Sequence, residues 1–389
     1  MTISEPKRYY YIDWLRVLAI LMVFLFHNAR FFDAEDWHVK NAETSQGFTI
    51  FITFTAQWLM PLFFMLSGLS TYYALRFQTV KKYVWSKVLR LLVPLILGMF
   101  THVSYQVYLE RLTHGDFAGS FLEFLPHYFE GGYGFGGNFA WMGLHLWYLE
   151  MLFLYSLLML PLFLWLRSRH MQSVISRLAG WMARPGAIFL LVIPAIIMQL
   201  ISDTQNHILF EEHWGGWSML PHLAFFVTGY FIALDTRLIS SIEKQRIISL
   251  ISAFIVFIIL YRCTLSPAGQ QFLDSPPGST ARVLHTWLWL TAMMGFAHRY
   301  LTSTNRFLRY ANEAVLPFYI LHQTIILAIG YYIVQLEIPI FIKYVMVTIL
   351  SFVTTAALYE PLIRRFNILR FLFGMKLNTG LRVSSLHQT

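Results

Sequence analysis

Ten stretches of fifteen to twenty-four mostly apolar residues, separated by polar connections, leave this chain few folds to choose from. They run over residues 14–32, 50–73, 88–109, 146–166, 187–201, 217–234, 247–261, 284–300, 314–334 and 339–359. Crossing the bilayer takes roughly 20 apolar residues per helix. In lipid, every backbone N–H and C=O must be satisfied within the protein, which restricts long apolar segments to helices. The expected fold is therefore all-α: a polytopic membrane helix bundle of about ten transmembrane helices. Composition agrees, since 57% of the residues are hydrophobic and only 13% charged, against about 25% charged in soluble domains. Residues 1–375 are expected to form one integral membrane domain, with 376–389 a short cytoplasmic tail.

The placement of charge orients the bundle. Cations collect at the N-terminus (Lys7, Arg8) and in alternate connections: Arg76 to Arg90, Arg167 to Arg184, Arg237 to Arg246, Arg299 to Arg309, and Arg364 to Arg382. The intervening connections hold few cations and many acids, among them Asp33, Glu35, Glu110, Asp116, Glu211 and Glu212. Alternation of this kind puts both termini in the cytoplasm under the positive-inside rule. It also accounts for the formal charge of +9, so no nucleic-acid partner is expected; the lipid bilayer is the first partner. No small-residue cleavage site follows Lys7 and Arg8, and the first span is read as retained. The single cysteine, Cys263, excludes an internal disulfide, and no Cys/His spacing suggests a metal.

Ionisable residues inside spans are costly and mark candidate sites. The first span holds Arg16 and His27, with Asp13 one turn before Arg16 and able to pair with it. Eleven residues at 100° each come to about 20° past three turns, so Arg16 and His27 share one stripe, roughly 16 Å apart along the axis. A cation near the cytoplasm suits an anionic donor. A histidine deeper in suits a general base, because its ordinary pKa lies near working pH. His102, His145, His222 and His322 also fall within or at the ends of spans. Five cations in the connection 76–90 (Arg76, Lys81, Lys82, Lys87 and Arg90) can hold phosphates. Two outer connections combine aromatics with polar groups, as a sugar-binding rim would: 33–49, with Trp37, His38, Asn41 and Glu43, and 110–145, with the glycine-rich run 131–138. No P-loop, GxSxG or HExxH is present, which argues against nucleotide hydrolysis, a serine hydrolase and a zinc protease.

Several motifs resemble the acyltransferase family 3 of integral membrane proteins, in the family's order and over nearly the whole chain. They are Asp13-Trp14-Leu15-Arg16 followed by His27; Phe63-Phe64-Met65-Leu66-Ser67-Gly68; Lys87-Val88-Leu89-Arg90 leading to Pro94; His145-Leu146-Trp147-Tyr148-Leu149; and Leu316-Pro317-Phe318-Tyr319-Ile320-Leu321-His322-Gln323. Glu360 with Arg364-Arg365 resembles the usual end of the domain. Trp37-His38-Val39 with Asn41 to Glu43 resembles the glucans biosynthesis protein C branch, whose members are linked to succinylation of periplasmic glucans. The resemblance implies that His27 is the essential catalytic residue and Arg16 its essential partner. It implies no bound cofactor; acyl-CoA, as succinyl-CoA or acetyl-CoA, is the donor substrate. The acceptor would be a periplasmic or surface glycan, and the location the inner membrane of a bacterium. Nothing in the sequence suggests the SGNH hydrolase-like domain that some members carry.

The expected chemistry is acyl transfer across the membrane. Phosphates of the donor would sit near Arg76, Lys81, Lys82, Lys87 or Arg90, and the thioester near His27. His27 would act either as base or as the site of an acyl-histidine intermediate. Ser67, Tyr319 or His322 would steady the oxyanion, and Arg30 is the candidate cation for a succinyl carboxylate. Asp13, Trp37, His38, Asn41, Glu43, His145 and Trp147 complete the expected substrate-binding set. A glycan or anion transporter, or a non-catalytic partner in glycan synthesis, are the competing readings.

Overall fold

The computed structural model describes residues 9–204 and 217–378. Lys7, Arg8, Glu211, Glu212, Arg382 and the tail beyond residue 378 lie outside the described residues. The fold is all-helical, and among the described residues only an isolated bridge, Gly132 to Phe139, has strand-like pairing. Each of the ten apolar segments falls on helix. Among the described residues, six helices are long and apolar enough to cross a membrane: Tyr10–Ala29, Gln46–Phe77, Val80–Phe100, Thr236–Thr264, Arg306–Ile333 and Ile340–Ile363. A seventh crossing would be the pair Leu144–Leu158 and Leu160–Leu166, bent by 50°. Pro161 lies in the first turn of the second member; its ring and missing N–H disfavour a straight continuation. Ala187–Asp203 and Met219–Leu234 are apolar but short. Segment 284–300 sits in Pro276–Tyr300, a helix that also carries Arg282, His285, His298 and Arg299. Segment 88–109 ends in two pieces, because the helix breaks at Thr101 and resumes at Val103.

Proline also explains the two π-helical turns, Val88–Leu92 and Tyr359–Ile363. Pro94 and Pro361 lack the N–H that a regular turn would use, so the ladder shifts by one residue. At the first of these, Val93 N–H reaches back to Val88 O.

The described chain divides into two compact units. The first takes the described residues within 1–23, 52–83 and 154–312; the second takes those within 24–51, 84–153 and 313–389. In the first, Leu59–Phe77 and Met219–Leu234 cross at glycines. A Cβ on Gly68 would lie 2.0 Å from Phe226 O, and one on Gly229 would lie 2.0 Å from Met65 O. Small residues at such crossings let backbones touch, which is how helices gain packing when the surrounding lipid is as apolar as their side chains. Beside the crossing, the Phe163 and Tyr230 rings stack at 3.8 Å, and the Tyr230 hydroxyl donates to Phe163 O. The Thr236–Thr264 helix leaves Ile247, Ile248, Ile251, Phe254, Ile255, Ile258 and Ile259 exposed. An apolar stripe of that length suits a surface that meets lipid.

In the second unit, Phe24 packs edge-on to Phe318 and Phe352. Lys343 is buried and uses its charge locally, donating to Asn41 Oδ1 at 2.7 Å and Val334 O at 2.8 Å. Those bonds anchor the connection that follows the first helix.

Candidate active site

Four histidines form a row inside the second unit. His27 comes from the first helix, His102 from the break after Phe100, His145 from a 3-10 turn, and His322 from Arg306–Ile333. Ring centroids stand 5.2 Å apart for His27 and His322, 5.3 Å for His322 and His145, and 6.4 Å for His145 and His102. Their tautomers follow from their partners. His102 Nε2 and His145 Nε2 both meet Ile320 O, at 3.0 and 3.1 Å. A carbonyl only accepts, so both nitrogens carry hydrogen. His145 Nδ1 must then accept from Gln106 Nε2, 3.1 Å away. Gln106 also donates to Thr324 Oγ1 and accepts from Gln323 Nε2. His322 donates from Nδ1 to Tyr319 O at 2.5 Å, which leaves its buried Nε2 an acceptor without a partner. The Tyr319 hydroxyl donates to His145 O.

His27 differs from the other three. Neither of its ring nitrogens has a hydrogen-bond partner among the described residues, and Nδ1 is buried. The ring is held by packing instead. Trp37 stacks over it at 6.1 Å and 17°, and Phe26 meets it edge-on. The side chain is thus oriented with both nitrogens left for chemistry.

The connection above His27 is a folded element. Arg30 donates to Asp33 at 2.5 Å, to Glu35 at 2.7 Å and to Asp36 O at 2.6 Å. Lys40 closes the loop on Asp33 and on the carbonyls of Arg30 and Asp33. Burial lifts the Asp33 carboxyl above its ordinary range against the pull of Lys40 and Arg30, and burial likewise lowers Lys40. Lys40 Nζ nevertheless lies 2.5 Å from Asp33 Oδ1, which pairs the two groups, and Arg30 is already satisfied by carboxylates. Asn41 donates to Glu43 O, while the Glu43 side chain is exposed.

His38, outside that row, is held by a carboxylate. Its Nδ1 contacts Glu110 Oε2, and Glu110 in turn accepts from the Tyr133 hydroxyl at 2.9 and 2.8 Å and from Arg111 at 3.2 Å. Arg111 reaches on to Asn138 Oδ1 and Gly137 O, tying in the glycine-rich run. Only glycine suits Gly137, where a Cβ would lie 2.3 Å from Gly131 C. The sequence singles out His38 and the glycine run, but not Glu110, Tyr133 or Gln106. The readable signal was Gln106 and Glu110 themselves, four residues apart on the buried face of Val103–His114.

Burial raises the Glu110 carboxyl, but the hydrogen bond and charge of His38, with Tyr133 and Arg111, outweigh it and hold the group below its ordinary value of 4.5. A depressed folded value means that this stabilisation is full above pH 4.5 and is lost as the pH falls through the folded value. The midpoint of thermal unfolding should therefore drop on acidification below that point. Glu110→Gln should be less stable at neutral pH and should lose this part of the acid dependence. A slope identical to that of the unmodified protein would count against the network.

The remaining expected residues divide between the units. Arg16 belongs to the first, where it meets Asp13 at 3.6 Å and donates to Ser70 Oγ at 2.7 Å; the expected pairing with Asp13 is present. Ser67 is buried in that unit too. Arg76, Lys81 and Lys82, also in the first unit, are exposed. In the second unit, Arg90 is exposed, Lys87 and Trp147 are partly so, and Asn41 is held by Lys343. Among the described residues, no group of three or more His, Cys, Asp or Glu side chains is placed to hold a metal ion.

An acyltransferase domain, that of acyltransferase family 3, matches residues 9–360. Among curated proteins, the chain is similar to glucans biosynthesis protein C of Salmonella schwarzengrund (strain CVM19633), 23% identical over 386 residues and 97% of each chain. It is similar also to the protein of that name from Escherichia coli O81 (strain ED1a), 24% identical over 334 residues and 84% of each chain. The counterpart from Salmonella typhi is 23% identical over 343 residues and 86% of each. No solved structure is a significant match to the chain.

Proposed function

The chain belongs to acyltransferase family 3, and from that premise we propose that this membrane acyltransferase moves an acyl group, succinyl or acetyl, from cytoplasmic acyl-CoA to a hydroxyl of an extracytoplasmic glucan. The observation that carries the reading is His27, oriented by packing, with both ring nitrogens free of partners, in a row of histidines inside the matched domain. The names of the relatives, glucans biosynthesis protein C, support a glucan acceptor. Charge alternation supports ten spans with both termini in the cytoplasm of a bacterial inner membrane.

Under this reading, the donor's phosphates lie near Arg76, Lys81, Lys82, Lys87 or Arg90, and Arg16 is the cation on the donor side of the first helix. His27 is the reacting imidazole. The acceptor approaches from the side of the connections 33–49 and 110–145. The thioester carbon passes to the glucan oxygen, and the hydroxyl proton ends on the released thiol.

The test uses purified protein in liposomes, with acetyl-CoA or succinyl-CoA on one side and a panel of glucans on the other. Free thiol should appear together with a matching gain in glucan mass. A labelled glucan that crosses unmodified, with no thiol released from either donor, would replace this reading with a transporter.

A further inference from the structure

We infer that His38, oriented by Glu110, is the base that deprotonates the acceptor hydroxyl, and that His27 carries the acyl group between donor and acceptor. This rests on the acyl-CoA:glycan reading above and divides its chemistry between two imidazoles.

A general-base imidazole works when one nitrogen is held by an acceptor, so that the other presents its lone pair and the cation that forms is stabilised. His38 has that arrangement. The Glu110 carboxylate accepts a hydrogen bond from Nδ1–H, and Glu110 is itself fixed from two further sides by Tyr133 and Arg111. His38 Nε2 has no partner among the described residues, and the side chain keeps 11% exposure, enough for a hydroxyl to reach it.

His27 has the opposite arrangement. No carboxylate holds either nitrogen, and its ionisable neighbours are His322, Arg30 and His38. Nothing there would stabilise an imidazolium. A neutral imidazole with an uncommitted lone pair, packed against the rings of Trp37, Phe26 and His322, has the features of a nucleophile. Trp37 joins the two sites, its ring 6.1 Å from that of His27 and 5.6 Å from that of His38.

The steps balance. A His27 nitrogen attacks the thioester carbon, and the C–S bond breaks with its electron pair on sulfur. The proton of the acylated ring then passes to the thiolate, giving free thiol and neutral acyl-imidazole. The acceptor oxygen next attacks the acyl carbon as His38 Nε2 takes the hydroxyl proton. The C–N bond breaks, its electron pair returns to His27, and His38 returns the proton to that ring. The net change is thioester plus alcohol to ester plus thiol.

The experiment is a rapid-mixing measurement on reconstituted protein, using acetyl-CoA and succinyl-CoA labelled in the acyl group, with and without a short gluco-oligosaccharide. His38→Gln should release about one equivalent of thiol, with the label retained on His27 by peptide mapping. Its oligosaccharide acylation should fall by roughly 10²–10⁴-fold, the usual contribution of a general base. Glu110→Gln should lower kcat by a smaller factor and leave KM for the donor unchanged, as expected of a positioning residue. Free imidazole should partly restore His38→Ala, which damage to the fold would not allow. Near-normal turnover in His38→Gln overturns the inference, and so does a folded His38→Gln protein that yields no thiol burst or no label on His27. Absence of thiol release by the unmodified protein would instead overturn the acyltransfer reading, and this inference with it.

Discussion

Replacing His27 by alanine is expected to abolish glucan acylation, with a loss of roughly 10²–10⁴-fold for a proton-transfer role and more for a covalent one. The fold should survive. The ring makes no hydrogen bond among the described residues, so its removal leaves no donor or acceptor newly stranded. What goes is a stacking contact with Trp37 and the edge contact with Phe26. His27→Ala should therefore elute as the unmodified protein does in detergent and melt within a few degrees of it. The informative readout is thiol release in the absence of acceptor. A His27 that carries the acyl group predicts loss of that release, together with glucan acylation. Full acylation by a well-folded His27→Ala protein would remove His27 from the reaction.

Gly68→Ala should be as damaging to the fold as His27→Ala is to activity. The new Cβ would stand 2.0 Å from Phe226 O and 2.7 Å from Tyr230 N. Both are backbone atoms of one helix, so no side-chain rotation relieves the clash; the two helices must separate. Adding a methylene group to a packed core typically costs about 1–3 kcal/mol. Here relief also opens the facing contact at Gly229, so the loss should reach the upper end or beyond, a large part of a stability of roughly 5–15 kcal/mol. The yield of monodisperse protein and the melting temperature are the measurements. Gly47→Ala is the control: its Cβ would meet only Ser45 Oγ, at 3.7 Å, so its melting should be unchanged or slightly raised. Equal behaviour of the two variants would mean that the crossing is looser than its geometry.

The helical architecture was legible because apolar run length is a strong signal. The breaks were not. The turn at Thr101 and His102, which carries His102 into the histidine row, leaves no mark in hydropathy, and the shift of register at Pro94 depends on which neighbour can take an orphaned carbonyl. Pro276–Tyr300 reads from sequence as a short span flanked by polar residues, yet it is one 25-residue helix whose Thr286 donates to Gln57 O. At the site, His27 was legible from its register with Arg16, and His145, Tyr319 and His322 from their motifs. Ile320 was not. An aliphatic side chain gives no hint that its carbonyl will accept from two imidazoles contributed by distant segments. In the sequence Glu110 is one acid among many in the outer connections, and its importance lies in meeting His38, 72 residues away.

The shared acceptor at Ile320 has a consequence for the movement of hydrogen ions along the histidine row. Rows of imidazoles conduct hydrogen ions readily, because each ring can take one on one side and release one on the other. Here the rings of His145 and His102 both end on the same amide oxygen, which has no hydrogen of its own to pass on. A Grotthuss chain that entered from His322 would stop at that atom. The four-ring row therefore ends at the Ile320 carbonyl and forms no continuous wire for hydrogen ions.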